Sequence, residues 1–454
     1  MSLKTADIKE TEALADWLLT EAKRRGAQGA DLRYSHGEGC SLSLRDGEVE
    51  ESLSGASSAL GIRVLLDGRQ GIASGDRLDK ASLSELLDWS IANAKASEPE
   101  EGLFLCSGTQ LFADPEIMRE DPAISEITSL MRMENCRRIT ELVRSADKRI
   151  VSVRAAAWQD GNGCDFYAST EGLAGWESGS YAGCEAVVLA QQGEFAEMGG
   201  YGDDSHRLCE IDAEKTARRA VSDTLSALGG RPVRTGKYTV ILEPEAAASL
   251  IEITGELFCA TDIQKNRSMM KGKLGEAVAS SCITLTDNGR IPWRSGTSCW
   301  DAEGVCTGET VLIENGIAKN YLYNLQSAYK DGVKSTGNCV RGLSSAPDAG
   351  CSNLVLKGGN ETGSALVSAL KRGIYITEFM GLHTIDPVSG DFSVGAKGLL
   401  IENGEKTRPV SGITIASSLF DFLKNISAVG SDVKFFGSVA SAALVVENIT
   451  VAGE

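Results

Sequence analysis

The sequence predicts an α+β chain, with a duplicated strands-plus-helix N-terminal region and a mostly antiparallel, β-rich C-terminal domain. Three observations carry this expectation. Asp46-Gly47 and Asp67-Gly68 lie between alternating apolar stretches, and such dipeptides close tight hairpins because their positions tolerate positive φ. Gly37-Glu38-Gly39-Cys40 has a counterpart in Gly161-Asn162-Gly163-Cys164, each opening a strand–turn–strand meander that ends in a helix. Leu312-Ile313-Glu314-Asn315-Gly316 recurs almost word for word as Leu400-Ile401-Glu402-Asn403-Gly404, two Asn-Gly hairpin signals in the C-terminal half.

Taken in order, Leu14, Trp17, Leu18 and Ala22 give the i, i+3, i+4 stripe of an amphipathic helix ending near Gly26. Strands are expected at 31–35, 41–44 and 60–66, then a helix with Leu83, Leu86, Leu87, Ile91 and Ala94 on one face. A linker rich in Glu, Pro and Gly covers 97–122, and a long helix is expected over 124–145. The second meander runs through 186–189 and closes in a helix that Asp212 caps and Gly229-Gly230 ends. A strand at 238–242 leads into a helix over 244–258. Farther on come a helix at 361–372 and a strand at 374–379. The expected units are 1–110, 111–232 and 233–454.

A chain of 454 residues exceeds one ordinary core, and 42% hydrophobic with 24% charged residues is a globular profile. The formal charge of −18 argues against nucleic acid as a partner, and Lys371-Arg372 and Arg137-Arg138 are isolated basic pairs. No apolar run reaches membrane-spanning length, and residues 1–12 lack the features of a secretion signal. The twelve cysteines include no C-x-x-C; their settings, such as those of Cys184, Cys259 and Cys282, read as small buried hydrophobes in a reducing cytoplasm.

Sites of chemistry are few. His36, His206 and His383 are far apart and read as turn or loop histidines. Neither a G-x-S-x-G elbow nor a phosphate loop occurs, and Gly358-Gly359-Asn360 before a helix reads as a turn. Two acidic pairs remain: Glu252 with Glu256, one helical turn apart, and Asp301 with Glu303. Carboxylates at i, i+4 share a face and can bind a hard cation weakly. By itself each pair reads as a solvated face.

A further set of segments is specific and ordered: Asp301-Ala302-Glu303-Gly304-Val305, Lys334-Ser335-Thr336-Gly337-Asn338, Gly373-Ile374-Tyr375-Ile376-Thr377-Glu378, Asp386-Pro387-Val388-Ser389-Gly390-Asp391, and Val429-Gly430-Ser431-Asp432. Arg45-Asp46-Gly47-Glu48-Val49-Glu50 and Leu60-Gly61-Ile62-Arg63-Val64 join them near the start. Together they resemble the TldD/TldE (PmbA) family over nearly the whole chain, and within it the TldE branch. The resemblance implies a cytoplasmic heterodimer that cleaves peptides and unfolded segments. Its TldD-type subunit carries H-E-x-x-x-H and a distant cysteine as metal ligands, with the glutamate as general base. Here the same helix reads Ile251-Glu252-Ile253-Thr254-Gly255-Glu256, and no cysteine follows Cys351.

The reading is therefore a non-catalytic subunit with a degenerate motif at Ile251, Glu252, Gly255 and Glu256. It has no catalytic residue, metal or cofactor of its own. Its expected partners are a TldD-type catalytic subunit and a peptide or unfolded substrate, with a homodimer in isolation allowed. Two alternatives stand beside it: an autonomous hydrolase built on Glu252, Glu256, Asp301 and Glu303, and a regulatory protein acting on DNA gyrase, an old label of the family.

Overall fold

The computed structural model describes residues 5–108, 111 and 113–454. The start of the stretch read for a secretion signal, residues 1–4, and residue 110 at the expected first boundary lie outside the described residues.

The N-terminal half is one six-stranded antiparallel sheet. Helix α1 (Thr5–Arg24) precedes β1 (Gly29–Arg45), β2 (Glu48–Leu66), β3 (Arg69–Gly75) and helix α2 (Lys80–Ala96). After the short helix α3 (Pro122–Ser125), the pattern repeats as α4 (Ser129–Ala146), β4 (Ile150–Ser169), β5 (Ala174–Gln192), β6 (Phe195–Ser205) and α5 (Ala213–Ala227). The strand order β3-β2-β1-β4-β5-β6 joins the two repeats through β1 and β4. Gly37 pairs with Gly163 and Gly39 with Gly161, so the matching glycine motifs face each other at the join. They sit in mid-strand instead of opening new strands, and the expected 31–35 and 41–44 strands are parts of one long β1.

Strand alternation explains the layering. On β1, Leu32 and Tyr34 join a core formed with α1 and α2, while Leu42 and Leu44 join a second core with α4 and α5. All four are even-numbered, so both helix pairs cover the same face. Odd-numbered Asp31 and Arg33 point to the opposite face, toward the C-terminal region. Both Asp-Gly turns have positive φ at each central residue, 50° and 90° at Asp46-Gly47 and 51° and 69° at Asp67-Gly68. Asp212 caps α5 by accepting the N–H groups of Glu214 and Lys215. The single helix expected over 124–145 is broken, because Thr128 accepts the Met131 N–H at 3.2 Å and starts α4 afresh.

The C-terminal half begins with β7 (Gly236–Leu242) and helix α6 (Pro244–Glu256). Strands 405–418, 391–402, 372–380, β7 and 444–452 lie side by side, and pairing of Thr414 with Ala452 and Ala416 with Thr450 closes them into a barrel. A second six-stranded sheet contains 285–288, 309–314, 354–356 and 439–441, with 434–436 on its edge. Pairing is mostly antiparallel; β7 with 372–380 and 354–356 with 439–441 are parallel. Both Asn-Gly hairpins form with positive φ. The helix expected at 361–372 is shorter, Gly363–Ala369, because Thr362 caps its start and Arg372 already belongs to a strand. Among the described residues no helix is long and apolar enough to cross a membrane.

The two halves meet closely at Gly61 on β2, where a Cβ would lie 2.1 Å from the Leu343 carbonyl oxygen. Backbone cannot yield as a side-chain tip can. We expect Gly61→Ala to cost about 1–3 kcal/mol of stability, read as a lower urea midpoint, through overpacking.

Candidate functional site

Helix α6 starts on Pro244 at its first turn, where the missing N–H costs nothing. Ala246, Ala247, Ala248, Leu250 and Ile251 are buried as it runs between the barrel and the second sheet. Ile251 is 1% exposed and belongs to the main core. Gly255 lies under Leu354, whose Cδ1 would be 2.4 Å from a Cβ there, so any larger residue would have to push that side chain aside. Glu252 and Glu256 are exposed, but they open into different cavities. Glu252 lines a cleft of about 1180 Å³, and Glu256 a cavity of about 450 Å³ beside Asp262, Arg267 and His383. Burial, then repulsion from Glu252 and Asp262, raises the Glu256 carboxyl above its ordinary range.

Two strand edges border the large cleft. β6, the outermost strand of the N-terminal sheet, contributes Tyr201 to Ser205, and the edge strand 434–436 contributes Lys434 to Phe436. Arg294 stacks over the Phe435 ring at 4.6 Å, and Lys406 lies over the Tyr375 ring at 3.2 Å.

The residues of α6 do not fit a metal ion. Isoleucine has no lone pair, the side chain at 251 is in the core, and the two carboxylates serve separate cavities. Among the described residues no group of three or more His, Cys, Asp or Glu side chains is placed to hold one.

Asp301 and Glu303 are not a solvated face. Both are buried, and both are fully engaged. Asp301 accepts N–H groups from Glu303, Val305 and Cys339 at 2.9, 3.0 and 2.9 Å. Burial pushes its carboxyl up to about 7, against the pull of those donors. Glu303 accepts the Leu325 N–H at 3.0 Å and receives Arg63 Nη1 at 3.2 Å. Arg63 grips Asp31 through Nε and Nη2 at 2.9 and 3.1 Å, and Arg341 Nη1 reaches both Asp31 oxygens at 3.2 and 3.0 Å. The Arg63 and Arg341 charges hold Asp31 below the usual carboxylate range despite its complete burial. This junction of Asp31, Arg63, Glu303 and Arg341 did not emerge from the sequence. The available signal was Arg63, a charge set between Ile62 and Val64 in a strand whose neighbours enter the core.

Of the three histidines only His36 departs from the expected turn or loop setting, since His206 and His383 lie in a bend and a short turn. His36 lies in mid-β1, where its Nδ1 is 2.8 Å from Ser58 Oγ, and it shares a cavity of about 620 Å³ with Cys164 and His206. His206 faces the Ser180 carbonyl through Nδ1, and burial lowers its pKa. His383 lies in a short 3₁₀ turn, Leu382–Thr384. Cys184 and Cys259 are buried as expected, whereas Cys282 is exposed. The Gly359 N–H is used up on the Gly430 carbonyl at 3.0 Å, which fits a turn.

These features define an α+β protein with a large open cleft beside a carboxylate-bearing helix and a buried ionic junction between its halves. Family descriptions match it in order: PmbA/TldA metallopeptidase domain 1 over residues 30–94, the central domain over 120–228 and the C-terminal domain over 235–453. The chain belongs to the PmbA/TldD family. Metalloprotease PmbA of Escherichia coli O157:H7 is 27% identical over 94% of this chain and 93% of that protein. A metalloprotease TldD homolog of Haemophilus influenzae is 26% identical over 89% and 86%. Among solved structures, a candidate modulator of a DNA gyrase from Thermotoga maritima has a TM-score of 0.89 and 27% identity, covering 97% of this chain and 100% of that one. TldE of Thermococcus kodakarensis shares the fold, with a TM-score of 0.88 at 23% identity, covering 97% of this chain and 100% of that one.

Arg63→Met leaves Glu303 buried with a single donor and Asp31 with one cation. We expect a loss of about 3–5 kcal/mol in urea unfolding. The raised carboxyl of Asp301 favours the folded chain when protonated. That contribution is complete below about pH 4 and fades as pH rises through about 7. Relative to Asp301→Asn, the natural chain should therefore lose stability across that window, measured as urea midpoints at several pH values.

Proposed function

We propose that this chain is the non-catalytic, TldE-type subunit of a heterodimeric TldD/TldE metallopeptidase acting on peptides and unfolded segments in the cytoplasm. The observation that carries the reading is Ile251: the α6 position that would have to donate a lone pair to a metal is an alkyl group in the core. Glu252, without a metal beside it, has no activated water to deprotonate. Ile251, Glu252, Gly255 and Glu256 are on this reading a degenerate motif, and no residue of the chain is catalytic.

The cleft supplies what a partner subunit needs. Its open edges at β6 and 434–436 offer unpaired backbone groups to an extended peptide, so binding by strand addition places few demands on side-chain sequence. The catalytic subunit would bring the metal and the water. In this scheme 1–110 and 111–232 form the shared sheet and 233–454 carries the cleft helix, and a homodimer in isolation is compatible with the reading. The gyrase-modulator description of the Thermotoga protein is compatible with an indirect route, in which the protease removes an inhibitor. With a charge of −18, direct DNA contact is disfavoured.

Purified alone, the chain should neither cleave an unfolded peptide nor hold stoichiometric transition metal; co-expressed with a TldD-type chain, the pair should cleave. A tightly bound metal in the isolated chain, lost on Glu252→Ala, would falsify the assignment and favour an autonomous hydrolase.

A further inference from the structure

On the face of the N-terminal sheet turned away from its helices, a cavity of about 350 Å³ opens between β4 and the C-terminal loops at 295–307 and 337–352. This is near the lower end of the roughly 300–1,000 Å³ typical of small-molecule sites. Three arginines line it, Arg33, Arg119 and Arg341, in a chain that is otherwise strongly acidic.

Their donors are not used up. Arg341 spends Nη1 on Asp31, and its buried Nε has no partner. Arg119 reaches Glu177 through Nη1 at 2.7 Å, and its buried Nε is likewise unpaired. Arg33 gives one N–H to the Arg341 carbonyl. Among the described residues no carboxylate forms an ion pair with Arg33, although Asp165, one pleat along on β4, acts on it through space. Both Nε atoms are sealed from solvent, so Arg341 and Arg119 add positive charge to the wall, while the remaining donors of half-buried Arg33 supply the fork, the group best matched to a two-oxygen acceptor.

Of the three carboxylates that line the cavity, Asp165 lies toward Arg33 and offsets part of its charge, while the other two are engaged elsewhere. Glu177 is already taken by Arg119, Ser298 and the Cys299 N–H, and the Asp301 oxygens by three backbone N–H groups. Trp300 and Tyr167 provide flat apolar wall.

We propose that this cavity is a binding site for a small oxyanion, a carboxylate or phosphate, gripped by Arg33 with Arg119 and Arg341 beside it. The site uses none of α6 and only adjoins the large cleft at Ser295, so it stands whether or not the chain is a protease subunit. Two sources supply such a group: a free inorganic anion, or the carboxylate end of a short peptide.

Calorimetric titration of the full chain at constant ionic strength separates them, using inorganic phosphate, an acetylated tripeptide acid and the same tripeptide as its amide. We expect saturable binding of phosphate or of the acid and none of the amide, with Arg33→Gln weakening it roughly tenfold or more. Phosphate alone assigns a free anion; the acid alone assigns a chain end. The wild-type titration needs no variant, so it decides even where Arg33→Gln does not fold. No saturable binding of either probe up to millimolar concentration overturns the site, as does binding that Arg33→Gln and Arg119→Gln both leave unchanged.

Discussion

The structure depends on the buried junction of Asp31, Arg63, Glu303 and Arg341. Two cations and two carboxylates meet where the underside of the N-terminal sheet touches the C-terminal loops, and none of the four has appreciable access to water. Desolvating four charges costs several kcal/mol per ion, which close, multiply bonded geometry offsets only in part. Its value lies in placement. Each guanidinium accepts one arrangement of oxygens, so the junction fixes the angle at which the two halves dock. Glu303 extends the effect by binding the Leu325 N–H at the start of helix Leu325–Asp331, where a carboxylate also complements the helix dipole.

The sheet above that junction shows why a duplication suits this architecture. Each repeat alone buries one face of a hairpin and an outer strand under two helices. Joined through β1 and β4, the repeats make a single surface with both helix layers on one side. The opposite face is then free at Asp31, Arg33, Arg63 and Tyr167 to receive the C-terminal half, and the same choice of face opens the arginine-lined cavity. The glycines at the join, Gly37, Gly39, Gly161 and Gly163, sit where neither core reaches.

What the sequence disclosed follows from range. The Asp-Gly and Asn-Gly turns, the Asp212 cap and the apolar stripe of α2 are set by residues a few positions apart, and all are found as expected. The break at Thr128 went unread because a threonine cap inside an apolar pattern is a weak local signal. The true length of β1 went unread because two glycines imitate a turn. Asp301 and Glu303 were misread as solvated because their partners come from elsewhere: Arg63 from a distant strand, and the Cys339 and Leu325 N–H groups from later loops. No periodicity within one segment encodes such a meeting.

The same geometry bears on how firmly α6 is committed to its present role. An imidazole at position 251 would have to bury two ring nitrogens among Leu, Ile and Phe side chains, and an unpaired polar group in such surroundings costs on the order of 1–3 kcal/mol. Position 256 projects into a different cavity from 252. Packing thus leaves position 251 neither the open space nor the lone pair that coordination needs. Ile251→His, the substitution toward the H-E-x-x-x-H pattern at the buried position, would damage the core before it could create a centre.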